Sequence, residues 1–285
     1  MRRNKTSKSS LAFMLRPSPS ILSFSNAKLI HTYHGHLLHG YFSPAKTKVL
    51  IYIERMLAKR SFKIVSVGAQ VRDDLLAAHI GKPAQYVVIP PGISLGTLHN
   101  SLVARESLGV PQDATTITFL GRITGIKRPD RFAEVALKIA SYNPKVVFLI
   151  VGSGDLVNSL RVQLSKIDSQ VKFLGWRSDV ENILSATDIL LLTSDNEGTP
   201  VSAIQAGMAG VPTISTNVGS VAEVIKDGSS GVLTSLDVSE IVNALQSLLS
   251  DPELRNRLGE RAKIDMSARY GVARLVSDYQ NLYLA

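Results

Sequence analysis

The chain has 285 residues, 45% apolar and 19% charged, enough for one large domain or two of ordinary size. Its formal charge of +9 sits at the front: eight basic and no acidic residues precede Glu54, leaving 24 basic against 23 acidic in the rest, which excludes a chain-wide basic surface for nucleic acid. The lack of cysteine excludes disulfides, thiolate metal sites and cysteine catalysis, and no apolar run approaches the ~18 residues of a membrane-spanning helix.

Residues 1–27 are rich in Ser and basic side chains, interrupted by Pro17 and Pro19, and read as a leader expected to be disordered. A remnant of a larger domain and a transit-like peptide are the competing readings. From Lys28 onward, strand-like apolar runs at 28–32, 62–67, 86–89, 116–120, 146–151, 171–174, 189–193, 213–215 and 231–233 alternate with amphipathic segments near 44–60, 69–79, 129–142, 155–167, 179–186 and 200–209. Runs such as VVFLIV and DILLLT are continuously apolar, as strands covered on both faces must be. The alternation predicts α/β units with parallel sheets. Pro90-Pro91-Gly92 and the polar stretch to Pro111 read as an interdomain linker. After Gly231 the pattern becomes helical, at 237–250, 252–269 and 272–284.

In open parallel sheets ligands gather at the carboxyl ends of strands, so three loops draw notice. The first, Gly121-Arg122-Ile123-Thr124-Gly125-Ile126-Lys127, brings two cations to the start of a helix opening at Pro129, where free amides and the dipole already favour an anion such as a diphosphate. It lacks the Lys-Ser/Thr ending of a Walker A loop. Solvated surface cations are the plainer reading. The second loop, Gly152-Ser153-Gly154-Asp155, begins like GxGxxG, but Val157 stands where the third glycine would be, and an ordinary strand–helix turn competes. The third runs from Ser194 to Pro212. Helical side chains tilt towards the N-terminus, so Gln205 leans back towards the loop carrying Glu197, and Thr199 with the early helix amides suits a phosphate.

The ordered series FLGRITGIKRPD, VFLIVGSGDL, VKFLGWRSDV and SDNEGTPVSAIQAGMAGVPTISTNVGSVAEVI, over about 113–265, resembles the donor-binding domain of retaining GT-B glycosyltransferases of family 4, group 1. The resemblance implies two Rossmann-like parallel-sheet domains: a partial acceptor-side unit at 28–103, a nucleotide-sugar-binding unit at 104–266, and a terminal helix at 267–285 returning to the first. It implies that Arg122 and Lys127 bind the nucleotide diphosphate and Glu197 contacts the transferred sugar. Gly152, Gly154, Trp176, Gly198, Thr199, Pro200 and Val201 would contribute to the donor site. Gln205 stands where the family has a ribose-binding Glu; it offers one acceptor where a carboxylate offers two oxygens, a loss of about 1 kcal/mol. The segment from Leu29 to His36 resembles the acceptor side and implies His34 (or His36) beside the sugar. Four of the six histidines lie at 31–39, but with no carboxylate or thiol among them a metal cluster is disfavoured.

The resemblance thus implies transfer of a sugar from a UDP- or GDP-linked donor to an acceptor hydroxyl with retention of configuration. No metal or further cofactor is expected. The acceptor would be a glycan or lipid-linked, with the protein cytoplasmic and in peripheral contact with the inner membrane face. The front of the acceptor-side unit is missing from the resemblance, so the expectation is a truncated chain or alternative start that keeps donor binding and loses part or all of transfer. A UDP-N-acetylglucosamine 2-epimerase-like enzyme and a non-catalytic nucleotide-binding scaffold are the alternatives.

Overall fold

A computed structural model describes residues 28–34 and 44–284. The expected leader at 1–27 and His36 lie outside them. The first unit comprises β1 (Ile30–Tyr33), α1 (Pro44–Arg60), β2 (Lys63–Ser66), α2 (Ala69–Ala77) and β3 (Tyr86–Val88), with the three strands parallel in the order β1-β2-β3. The first strand starts two residues later than expected, because ladder pairing begins at Ile30 opposite Lys63. Ile64 packs with Val71, Leu75 and Ile80 on one face, and Val65 and Ile89 face the other way.

The second unit follows as α3 (Ser101–Ser107), β4 (Thr115–Leu120), α4 (Pro129–Tyr142), β5 (Val146–Val151), α5 (Val157–Leu164), β6 (Val171–Gly175), α6 (Val180–Ser185), β7 (Ile189–Leu192), α7 (Val201–Met208), β8 (Thr213–Thr216), α8 (Val221–Val224) and β9 (Gly231–Thr234). Its six parallel strands run β6-β5-β4-β7-β8-β9. Three helices close the chain: α9 (Val238–Ser250), α10 (Pro252–Tyr270) and α11 (Val272–Leu284). All six residues of β5 are buried. Val146, Phe148 and Ile150 enter the core beneath α4 and α9, while Val147, Leu149 and Val151 meet Ala104, Leu108 and Ala186 on the opposite face. The unbroken apolar run is therefore a strand with two dry faces. Phe132 on α4 meets Phe119 and Phe148 edge-on at 5.4 and 6.1 Å between ring centres.

The stretch expected to be linker needs correction at its centre. Asn100 caps α3 by accepting the Leu102 N–H at 2.9 Å, and Ala104 and Arg105 are buried against the second sheet. Arg105 looks solvent-facing in sequence. In the fold it donates to Ala114 O at 2.6 Å and Asp188 Oδ2 at 2.7 Å. The chain crosses between units at Ile93, whose N–H donates to Tyr270 O at 2.7 Å, and crosses back beside it at Gly271. Helix α11 then packs on the first sheet: Leu282 and Leu275 join Val65 and Ile89, and Tyr279 Oη lies 3.1 Å from Thr32 Oγ1. No helix among the described residues is long and apolar enough to cross a membrane.

His31 on β1 gives the first unit a pH dependence. Burial depresses its imidazole below the ordinary value of 6.5, against an opposing pull from Glu54, and its Nε2 is buried without a partner among the described residues. A depressed folded-state value contributes stability that is complete above 6.5 and lost as pH falls towards the folded value. Thermal unfolding between pH 7.5 and 5.5 is expected to show a smaller fall in Tm for His31→Asn than for the unaltered chain; equal falls would contradict the assignment.

Candidate active site

Strand β4 pairs with β5 on one side and β7 on the other, so the chain order reverses between β4 and β7. At such a switch point the loops leaving neighbouring strands diverge and open a crevice. Here they are the loop carrying Arg122 and Lys127 and the loop carrying Glu197. A cavity of about 230 Å³ lies at their mouth, lined on this side by Arg122, Ile126, Lys127, Asn196, Glu197, Gly198, Thr199, Gly219 and Ser220. The first unit closes it with His34, Gln70, Val71 and Asp74.

The centre of the cavity is an ion pair. Lys127 Nζ donates to both Glu197 oxygens, at 2.6 and 2.7 Å, and Ser194 Oγ donates to Glu197 Oε1 at 2.6 Å. The Glu197 side chain is 6% exposed and that of Lys127 23%. A carboxylate has about four lone-pair positions, so these three bonds leave one, on Oε2. Among the described residues Lys127 likewise keeps one N–H free. The pair can therefore reach a sugar hydroxyl and a phosphate oxygen at once, without separating.

Several contacts hold Lys127 in place. Thr193 Oγ1 donates to the carbonyls of Lys127 and Arg128 at 3.1 and 3.0 Å. Buried Arg131 donates to Thr193 O at 2.6 Å and Asp195 Oδ1 at 2.8 Å. Arg128 adopts a left-handed conformation (φ 50°), sparsely populated for a residue with a side chain, and is gripped by Asp130 and Asp195. Its guanidinium holds the Asp130 carboxyl below the usual carboxylate range. Arg122, by contrast, is exposed at the cavity wall.

The cavity gathers His34, Arg122, Lys127, Glu197, Gly198 and Thr199 of the residues singled out in the sequence. The others stand outside it. Gly152 and Gly154 lie behind the first loop, where Ile123 N–H donates to Ser153 O at 2.9 Å, and they permit backbone to approach backbone. Pro200 is buried at the start of α7, Val201 is exposed, and Gln205 is half-buried one turn further along. Trp176 follows β6 and is 74% exposed. Sequence reasoning missed Gln70 and Asp74 on α2 and Gly219 and Ser220 after β8. The strand-end rule that selected the other loops applies equally to those after β2 and β8 and would have found them.

The family Glycosyl transferases group 1 matches residues 101–265, more than half of the chain and the whole of the second unit's sheet. The chain belongs to this family. Glycosyltransferase Family 4 matches residues 10–96. Among curated relatives, an Escherichia coli UDP-Gal:alpha-D-GlcNAc-diphosphoundecaprenol alpha-1,3-galactosyltransferase is 27% identical over 90% of this chain and 68% of its own length. A D-inositol 3-phosphate glycosyltransferase of Stackebrandtia nassauensis is 28% identical over 81% of this chain, which spans only 55% of that protein. Anabaena HepE, solved with UDP and glucose, superposes with a TM-score of 0.81 at 20% identity, over 90% of this chain and 72% of that one. Sucrose-phosphate synthase from Thermosynechococcus elongatus gives 0.79 at 21%, over 93% and 69%. These neighbours share the GT-B fold. The glycosyltransferase relatives do not favour the epimerase-like or scaffold alternatives.

Proposed function

We propose that the protein transfers a sugar from a nucleotide diphosphate-sugar to an acceptor hydroxyl with retention of anomeric configuration. One observation carries the reading: Lys127 and Glu197 form a partly buried pair at the switch point, in a cavity lined by both units, with one free N–H and one free lone pair between them among the described residues. As the glycosidic bond to the diphosphate breaks, negative charge grows on the departing phosphate. Arg122 and the free N–H of Lys127 stabilise it, and donors already in place need no reorganisation at that moment. The Glu197 lone pair orients the sugar and faces its cation-like carbon. The acceptor oxygen bonds to that carbon and its proton passes to the leaving diphosphate. The protein's cations supply the charge neutralisation, so the reading calls for no metal, and turnover in EDTA tests that part.

UDP is the first donor nucleotide to try, since HepE is described with UDP and the E. coli relative's name specifies UDP-Gal. That name also specifies a lipid-linked acceptor. An acceptor of this kind, with peripheral membrane contact, suits helix α1, where Val49, Tyr52 and Met56 are exposed beside Lys46 and Lys48. Calorimetry with UDP and GDP, followed by NMR assignment of the product's anomeric configuration, tests the proposal. Failure of every nucleotide to bind at millimolar concentration, or an inverted product, contradicts it.

Gln205 and Trp176 belong to the same reading. Gln205→Glu is expected to tighten UDP binding about fivefold by restoring a charge-assisted pair of acceptors for the ribose diol. Trp176 is the sole tryptophan and is exposed beyond β6, so its emission serves as the readout. Titrations in which Gln205→Glu binds UDP no more tightly would remove Gln205 from the donor site.

A further inference from the structure

Helix α2 begins at Ala69 after Gly68, which has no side chain with which to cap it. Its first amides are satisfied from the other unit. Glu223, in α8, accepts the Ala69 N–H through Oε2 and the Gln70 N–H through Oε1, each at 2.7 Å. Both bonds are charge-assisted, and the carboxylate sits on the positive end of the helix dipole. A second contact between the units lies beside it, from Thr199 Oγ1 to Val67 O at 3.5 Å.

Glu223 is itself held rigidly. Its carbonyl accepts from Arg269 Nη2 and, at 3.4 Å, from Tyr270 Oη. Arg269 pairs with Asp265 at 3.0 Å, and the Tyr270 carbonyl receives Ile93, where the chain crosses between units. The backbone that carries the carboxylate is thus tied to the crossing. The cavity wall contributed by α2 begins at the second capped residue itself: Gln70 and Asp74, joined by an amide-to-carboxylate hydrogen bond of 2.9 Å, face the loops of Lys127 and Glu197.

We propose that Glu223 is a positioning residue for transfer. It clamps α2 across the cleft and so sets how far Gln70 and Asp74, which recognise the acceptor's hydroxyls, stand from the donor held by Lys127 and Arg122. Gln70 offers amide donors and an acceptor, and Asp74 offers carboxylate oxygens, a set that suits a polyhydroxyl acceptor such as a sugar. This assignment rests on the transferase reading, whereas the clamp itself does not.

The test uses the full chain and three variants: Glu223→Ala, Glu223→Gln, and Gly68→Ala, whose new methyl would stand 3.1 Å from Glu223 Oε2 and push the carboxylate away. In Glu223→Ala, amide exchange at residues 69–72 should accelerate about fivefold or more, as loss of an N-cap does, and the radius of gyration from small-angle scattering should rise. UDP affinity should stay within twofold, because the nucleotide contacts lie in the second unit. Release of UDP from a UDP-sugar should lose several-fold in kcat with donor KM within twofold. Glu223→Gln, keeping one accepting oxygen, should fall between, and Gly68→Ala should shift the same way. Unchanged exchange and scattering in Glu223→Ala overturn the clamp. If that variant also loses protection in β4 and β5 it has unfolded, and unchanged exchange in the other two then overturns it. Changed exchange with an unchanged kcat overturns the positioning role. Should the unaltered chain turn over no UDP- or GDP-sugar, the transferase reading fails and the acceptor role with it, while exchange and scattering still decide the clamp.

Discussion

Glu197→Gln is expected to lower sugar transfer on the order of 10²- to 10³-fold while leaving UDP binding as tight as before or tighter. The asymmetry follows from the geometry of the pair. In the unaltered protein Lys127 spends two of its three N–H bonds on Glu197. On the proposed reading, neutralising the carboxylate releases the ammonium for the diphosphate, yet removes the group that would face the sugar carbon. Lys127→Ala should do the opposite to binding, weakening UDP by about tenfold or more, since a charge-assisted contact to phosphate is lost. Stability responds as well. Breaking a fully buried pair costs about 3–5 kcal/mol; here the lysine side chain keeps 23% of its surface, so about 2 kcal/mol is expected for Glu197→Gln. Urea unfolding, UDP calorimetry and UDP release from a UDP-sugar measure the three quantities. A variant that loses UDP affinity but keeps turnover would show that Glu197 serves the nucleotide and not the sugar.

Gly152→Ala is expected to be severe and Gly125→Ala nearly silent, although both glycines belong to the loops of one site. Gly152 has φ of 137°, and a Cβ there would lie 1.8 Å from the Gly121 carbonyl oxygen. That oxygen belongs to the peptide joining Gly121 to Arg122, so the methyl group displaces the first loop together with Arg122 at the cavity wall. A destabilisation of about 3 kcal/mol is expected, from backbone strain and overpacking combined, along with weaker UDP binding. Around Gly125 nothing lies within 4 Å of the added carbon, and a change within about 0.5 kcal/mol is expected. Equal unfolding midpoints for the two variants would refute the close-approach account of the Gly152-Ser153-Gly154 turn.

These two predictions mark what was legible in the chain before folding. VVFLIV reads as a doubly covered strand because side chains alternate every residue, and in the structure its odd and even members enter different cores. Pro129 at the start of α4 and the polar loop ending at Pro200 are local signals, as were the family motifs that led to Arg122, Lys127 and Glu197. Helix α3 was missed for a related reason. Its buried Arg105 is stabilised by Asp188, 83 positions away, and a local pattern treats an arginine as exposed.

Periodicity, glycine, proline and charge act over a few residues, so the α/β class, the second unit and the loops that line the cavity are legible along the chain. Which loops meet depends on the fold. Lys127 pairs with Glu197 because β4 and β7 are neighbours across a reversal of strand order, and Glu223 caps α2 because the chain crosses between units beside Tyr270. Strand order and crossing points are set by burying apolar faces shared among distant segments, and no short stretch of sequence contains both partners.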